Sequence, residues 1–123
     1  FIGRYEDKVE NQFYWYIRPQ ETGNKTDVRW LSLLDSEGQG VRITGLQPIS
    51  FSALHFSPED LDPGLTRKLQ HTIDIVPQKN IFLHVDLKQR GLGGDNSWGM
   101  YPHNKYRLLD KKYVYSYMIE LID

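Results

Sequence analysis

Ile81, Leu83, Val85 and Leu87 alternate with Phe82, His84, Asp86 and Lys88. This period of two predicts a strand with an aliphatic face on a core and a mostly polar face away from it. The stretch 113–122 alternates as well, with Tyr113, Tyr115, Tyr117, Ile119 and Leu121 on one face. Its other face carries Val114, Ser116, Met118, Glu120 and Ile122, so that face is expected to be partly covered too. Segments 13–17, 28–34, 41–46 and 49–56 read as further strands, each bounded by Gly, Pro, Asn or Asp. Strands this close together, with turn signals between them, predict an all-β, antiparallel β-sandwich built of hairpins.

Two stretches break the pattern. Ser57 can cap a helix whose first turn holds Pro58, Glu59 and Asp60, the favoured chemistry for a helix start. Asp62-Pro63-Gly64 stops that helix almost at once, and Leu65 with Leu69 suggests a second short turn. Residues 88–105 hold four glycines and a proline without periodicity. They form the longest loop, and long loops in compact domains are often functional. With no internal repeat, low-complexity tract or linker, residues 1–123 read as a single unit.

Composition sharpens the class. One alanine, Ala53, stands against sixteen aromatic residues, eight of them tyrosine, which disfavours helix and favours strand. Fifteen Lys and Arg balance sixteen Asp and Glu for a net charge of −1. That balance gives no electrostatic reason to expect nucleic acid or an anionic membrane as partner. No apolar run approaches the roughly 18 residues needed to span a bilayer. The absence of cysteine excludes a disulfide framework and a thiolate metal site. The chain opens on Phe1 and has Met100 and Met118 as its only methionines. It therefore reads as a piece of something longer, with the compartment, cytoplasmic or periplasmic, left open.

Candidate chemistry is sparse. His55, His71, His84 and His103 lack the close spacing of a zinc site and read as strand or loop residues. Asp95-Asn96-Ser97 lacks the further acidic positions of a calcium loop. Gly91-Leu92-Gly93-Gly94 precedes no helix that could present its N-terminus to phosphate, and Ser97 lacks the glycine flanks of a nucleophile elbow. Most acids sit in turns or at the helix start, among them Asp35, Glu37, Glu59 and Asp60. Asp86 is the exception, on a strand that runs into the Gly-rich loop, where it reads as a hydrogen-bond anchor. Trp98 is the most informative residue. With glycines close by on both sides in that loop, it either folds back to cap the sandwich or offers a flat apolar face to a sugar ring. Trp15 and Trp30, on strand patterns, are expected to be largely buried.

Three blocks together resemble a known domain. Tyr16-Ile17-Arg18-Pro19-Gln20-Glu21-Thr22-Gly23-Asn24 with Asp27-Val28-Arg29-Trp30 is similar to the C-terminal, small-chain domain of the family 2 β-galactosidases. Phe51-Ser52-Ala53-Leu54-His55-Phe56 with Glu59-Asp60-Leu61 resembles its next block, and 86–99, with Gly93-Gly94-Asp95-Asn96-Ser97-Trp98-Gly99, its last. The blocks keep the family's order and cover most of the chain. Residues 65–76 are only loosely similar, with His71 at the position the family tends to keep as histidine.

The resemblance implies retaining glycosidases that cleave terminal β-galactosides. It also implies catalytic glutamates on a separate (β/α)8 barrel of the same chain, so no catalytic residue and no metal ligand is expected here. The fold implied is the C-terminal part of a galactose-mutarotase-like supersandwich, with one or two short helical turns. It implies that Trp98 stacks on the sugar in the entry subsite, with Gly93, Gly94 and Asp95 shaping its loop. Magnesium and a monovalent cation, where such enzymes use them, are implied to bind elsewhere, and a homo-oligomer is left open. Three other readings remain: a free carbohydrate-binding module with several exposed rings, a structural element with Trp98 buried, and a mutarotase-like enzyme using His84 and Asp86 on one strand face.

Overall fold

The computed structural model describes residues 1–65, 70–96 and 98–123. Its strands are β1 (Lys25–Leu34), β2 (Gly40–Leu54), β3 (Phe82–Asp86) and β4 (Tyr117–Ile122). They belong to one four-stranded sheet in which β2 pairs with β1, β3 and β4. Besides a single turn of α-helix, α1 (Pro58–Leu61), helix among the described residues is limited to 3₁₀ turns such as Val9–Gln12. The class is therefore all-β and antiparallel, sandwich-like, with short helical turns, as the periodicity predicts. The second turn expected from Leu65 and Leu69 falls partly on 66–69, outside the described residues. None of the described helices is long and apolar enough to cross a membrane. By its contacts the chain divides into two compact units, Phe1–Lys25 with Phe51–Val85, and Thr26–Ser50 with Asp86–Asp123.

The first unit is organised by a cluster of Phe13, Leu54, Phe56, Leu61 and Ile75, all buried. The strand expected over 13–17 does not form. Phe13 is drawn into the cluster, 4.6 Å from the Phe56 ring, and the backbone around it is satisfied by side chains instead of a ladder. The Tyr14 N–H donates to Thr22 Oγ1 at 3.0 Å, and the Thr72 hydroxyl donates to the Tyr16 carbonyl. Trp15 packs edge-on to Phe13 but stays 57% exposed, contrary to expectation, because its segment lies over the cluster and not within a sheet.

α1 is held by the cap that its sequence predicts. The Asp60 N–H donates to Ser57 Oγ at 3.2 Å, and the Ser57 N–H donates back to the Asp60 carboxylate at 2.7 Å. The Gln78 amide adds a second bond to that carboxylate at 2.6 Å. Burial alone would raise the Asp60 pKa, but these donors together outweigh it and hold the carboxyl below its usual value of 3.8. A pKa lowered by folding adds stability that is complete above the unfolded value and is lost as pH falls through the folded one. Urea midpoints measured from pH 7 down to pH 2 should therefore fall more steeply in the native chain than in Asp60→Asn. Parallel curves would show that Asp60 does not contribute.

In the second unit, β1 and β2 form a hairpin over residues 35–39. Asp35 accepts the N–H groups of Glu37 at 2.9 Å and Gln39 at 3.0 Å, which fixes the turn and with it the register. β4 pairs antiparallel with β2, from Gly40 opposite Ile122 to Gly45 opposite Tyr117. The segments 41–46 and 49–56, separate in the sequence reading at Pro48, are one continuous strand. The Leu46 N–H still donates to the Ser116 carbonyl at 3.0 Å. Two residues on, Pro48 faces the same edge, where β4 has already ended, so its missing N–H leaves no ladder bond unmade. The Gln47 side chain brackets Ser116 in place of the ladder, donating to its carbonyl at 3.1 Å and accepting from its N–H at 3.2 Å.

β4 is shorter than its alternation suggests, and Met118, Ile119 and Leu121 are exposed. Trp30 is also less buried than expected, 38% exposed, with the Arg42 guanidinium 4.2 Å from its ring centroid. A cation covers the ring that a core would have covered. Trp30→Ala should then cost about 1–2 kcal/mol, part area and part cation–π, and not the 3–5 kcal/mol of a fully buried tryptophan. Chemical denaturation checks this, and a loss above 3 kcal/mol would mean that the ring is covered in solution.

Candidate functional site

β3 ends at Asp86, and the chain then runs irregularly to a 3₁₀ turn at Asn104–Tyr106. The Gly91 N–H donates to the Tyr106 carbonyl at 2.7 Å and closes the base of a loop between them. Within it the two arms approach closely at Gly94, where a Cβ would collide with the Met100 carbonyl. Gly99 has φ +88°, in the left-handed region that side chains rarely adopt. A Cβ at Gly93, by contrast, would meet nothing within 4 Å, so the close approach of the arms is at Gly94. Asp95 Oδ1 lies 2.7 Å from His103 Nε2 and joins the arms by their side chains. Asn96 Oδ1 accepts the Trp98 N–H at 2.9 Å and turns the chain at the tip.

Trp98 is 92% exposed. Neither a capping role nor a place in the core fits that number. An indole held out on a glycine-bounded turn presents its whole apolar face, with the ring N–H at one edge for a polar neighbour. On the same loop, Tyr101 is exposed, with the Arg107 guanidinium 5.0 Å from its ring centroid. Ser97 lies outside the described residues.

The first unit carries a second constellation that sequence reading missed. Ser52 Oγ, buried, donates to Glu21 Oε1 at 3.0 Å, and His84 Nδ1 lies 3.6 Å from the same oxygen. The three line a depression of about 280 Å³, with Leu54, Phe56 and Phe82 on its apolar side. The alternation of the strand puts His84 and Asp86 on one face. His84 instead faces Glu21, while Asp86 accepts a 3.5 Å bond from Gln89, within the segment it was expected to anchor. Glu21 is remote in sequence and sits in an irregular stretch, so no periodicity could have placed it there. His55 Nδ1 lies 3.0 Å from the Gln78 carbonyl, and the His71 N–H donates to Asp74. Among the described residues no three His, Asp or Glu side chains come close enough together to hold a metal ion.

Comparison with known proteins gives this geometry a family. The family model described as "Beta galactosidase small chain" matches residues 1–119. The chain belongs to the β-galactosidase small-chain family. A β-galactosidase of Priestia megaterium is 36% identical over 107 residues, 87% of this chain and 10% of its own length. The β-galactosidase BgaC of Bifidobacterium adolescentis is 38% identical over 96 residues, 76% of this chain and 9% of its own. A β-galactosidase of Streptococcus thermophilus is 33% identical over 122 residues, 98% and 11%. The chain thus spans about a tenth of the length of these relatives. It aligns with a small part of each of these relatives.

Proposed function

We propose that these residues serve a retaining, family 2 β-galactosidase as scaffold and as the support of a sugar-stacking tryptophan, not as the source of its catalytic glutamates. The observation that carries this reading is Trp98, 92% exposed at the tip of a loop that closes on itself. Retaining hydrolysis needs a nucleophile and an acid/base roughly 5–5.5 Å apart on a rigid frame. In this reading both belong to a (β/α)8 barrel in the remainder of the protein, as do the sites for magnesium and a monovalent cation. Gly93, Gly94 and Asp95 then shape the loop that brings Trp98 to a β-galactoside in the entry subsite. The exposed apolar residues of β4 are consistent with a neighbour from the same, longer protein.

The test compares the full-length protein, the full-length protein lacking these residues, and the chain alone, each with a chromogenic β-galactoside. Only the first should turn over substrate. Turnover by the chain alone, lost on replacing one of its own acids, would overturn the reading. Galactose binding by the chain alone, with full activity in the protein lacking it, would favour an independent carbohydrate-binding module.

A further inference from the structure

We infer that His103 is a positioning residue for Trp98, acting through Asp95. The inference rests on the stacking role proposed above for Trp98 and names what holds the indole at the substrate.

Among the described residues around the tip, Leu92, Trp98 and Met100 are all exposed, and the buried apolar side chain of this loop, Pro102, lies on the returning arm near its base. Burial therefore cannot fix where the indole points, and the position must come from backbone closure and polar contacts. The Gly91–Tyr106 bond fixes only the base of the loop. Further out, Gly94 lets the two arms pass closely at Met100. At that level Asp95 on the outgoing arm meets His103 on the returning arm at 2.7 Å. The carboxylate can only accept, so Nε2–H donates, and the ionised acceptor makes the bond charge-assisted. Asp95 stands three residues before Trp98, so any swing of the outgoing arm moves the ring directly. Both partners are well exposed, at 60% and 70% of their side-chain surface. Such a pair adds little to global stability. Its effect is local: it narrows the range of loop positions, and so lowers the ordering cost of bringing the indole onto a sugar.

The experiment is a double-mutant cycle in the full-length protein, reading KM and kcat for a nitrophenyl β-galactoside. His103→Ala should raise KM about threefold and leave kcat within twofold, because a loosened loop weakens binding but not the chemical step. His103→Gln, whose amide N–H can still reach Asp95, should return KM close to the native value. In a Trp98→Ala background, His103→Ala should have no further effect, since what it positions is gone. Multiplying effects in the double variant would show that His103 acts independently of Trp98 and would overturn the inference. An unchanged KM in His103→Ala, with a raised KM in Trp98→Ala, would overturn the inference alone. An unchanged KM in Trp98→Ala would bring down the stacking role and this inference together.

Discussion

Replacing Phe56 with alanine is expected to cost the chain about 3–5 kcal/mol, the usual loss for a large ring removed from a packed core. Phe56 is buried in the cluster of Phe13, Leu54, Leu61 and Ile75, with its ring 4.6 Å from Phe13 and 6.3 Å from Trp15. Refilling the space would pull Phe13 or Trp15 from the irregular segment that packs on this ring, so the cavity is expected to stay largely open. Domains of this size are stable by about 5–15 kcal/mol, so the variant should unfold at much lower urea and could fail to fold at all. Leu46→Ala, at an exposed position on β2, is the control and should change stability by no more than about 0.5 kcal/mol. A Phe56→Ala variant within 1 kcal/mol of the native chain would mean that the cluster is not the core of its unit.

How much of this the sequence discloses follows from what kind of signal each element leaves. β3 is written as a period of two, and β1, fixed by an aspartate-capped turn, is nearly as plain. α1 is legible to the residue because Ser57 and Asp60 stand at the spacing of a reciprocal cap. The failures have a different physics. Residues 13–17 look like a strand because they are aromatic, yet only Phe13 is buried, and side-chain hydroxyls take the place of a ladder. Pro48 looks like a strand end, but whether a proline breaks a strand depends on what its edge faces, and the end of β4 is a tertiary fact.

The same division runs through the candidate site. Trp98 is conspicuous because a tryptophan among glycines has no local reason to be buried. Glu21, Ser52 and His84 leave no such mark, since they come from three separate stretches and only the packed chain brings them to one depression. His103 lies eight residues beyond Asp95 in a segment without periodicity, and a contact across the arms of a loop has no sequence spacing of its own.

On the stacking role proposed for it, Trp98→Ala in the full-length protein is expected to raise KM for β-galactosides about tenfold. An indole face laid on a sugar ring removes on the order of 50–80 Å² of apolar surface from water, or about 1–2 kcal/mol at the usual coefficient. About 1.4 kcal/mol, within that range, is one factor of ten. Because Trp98 is 92% exposed in the chain, its removal leaves no cavity, and the stability of the chain should change by less than about 0.5 kcal/mol. That pairing, a large kinetic effect with an unmoved urea midpoint, separates a substrate contact from a structural one. A tryptophan in an entry subsite also binds ground state and transition state nearly alike, so kcat should stay within about twofold while KM rises. Trp98→Phe, which keeps a smaller flat face, should fall between the two. A KM unchanged across several galactosides in Trp98→Ala would remove the physical case for a sugar platform, and a collapse of kcat with constant KM would place the indole at the chemistry and not at the entrance.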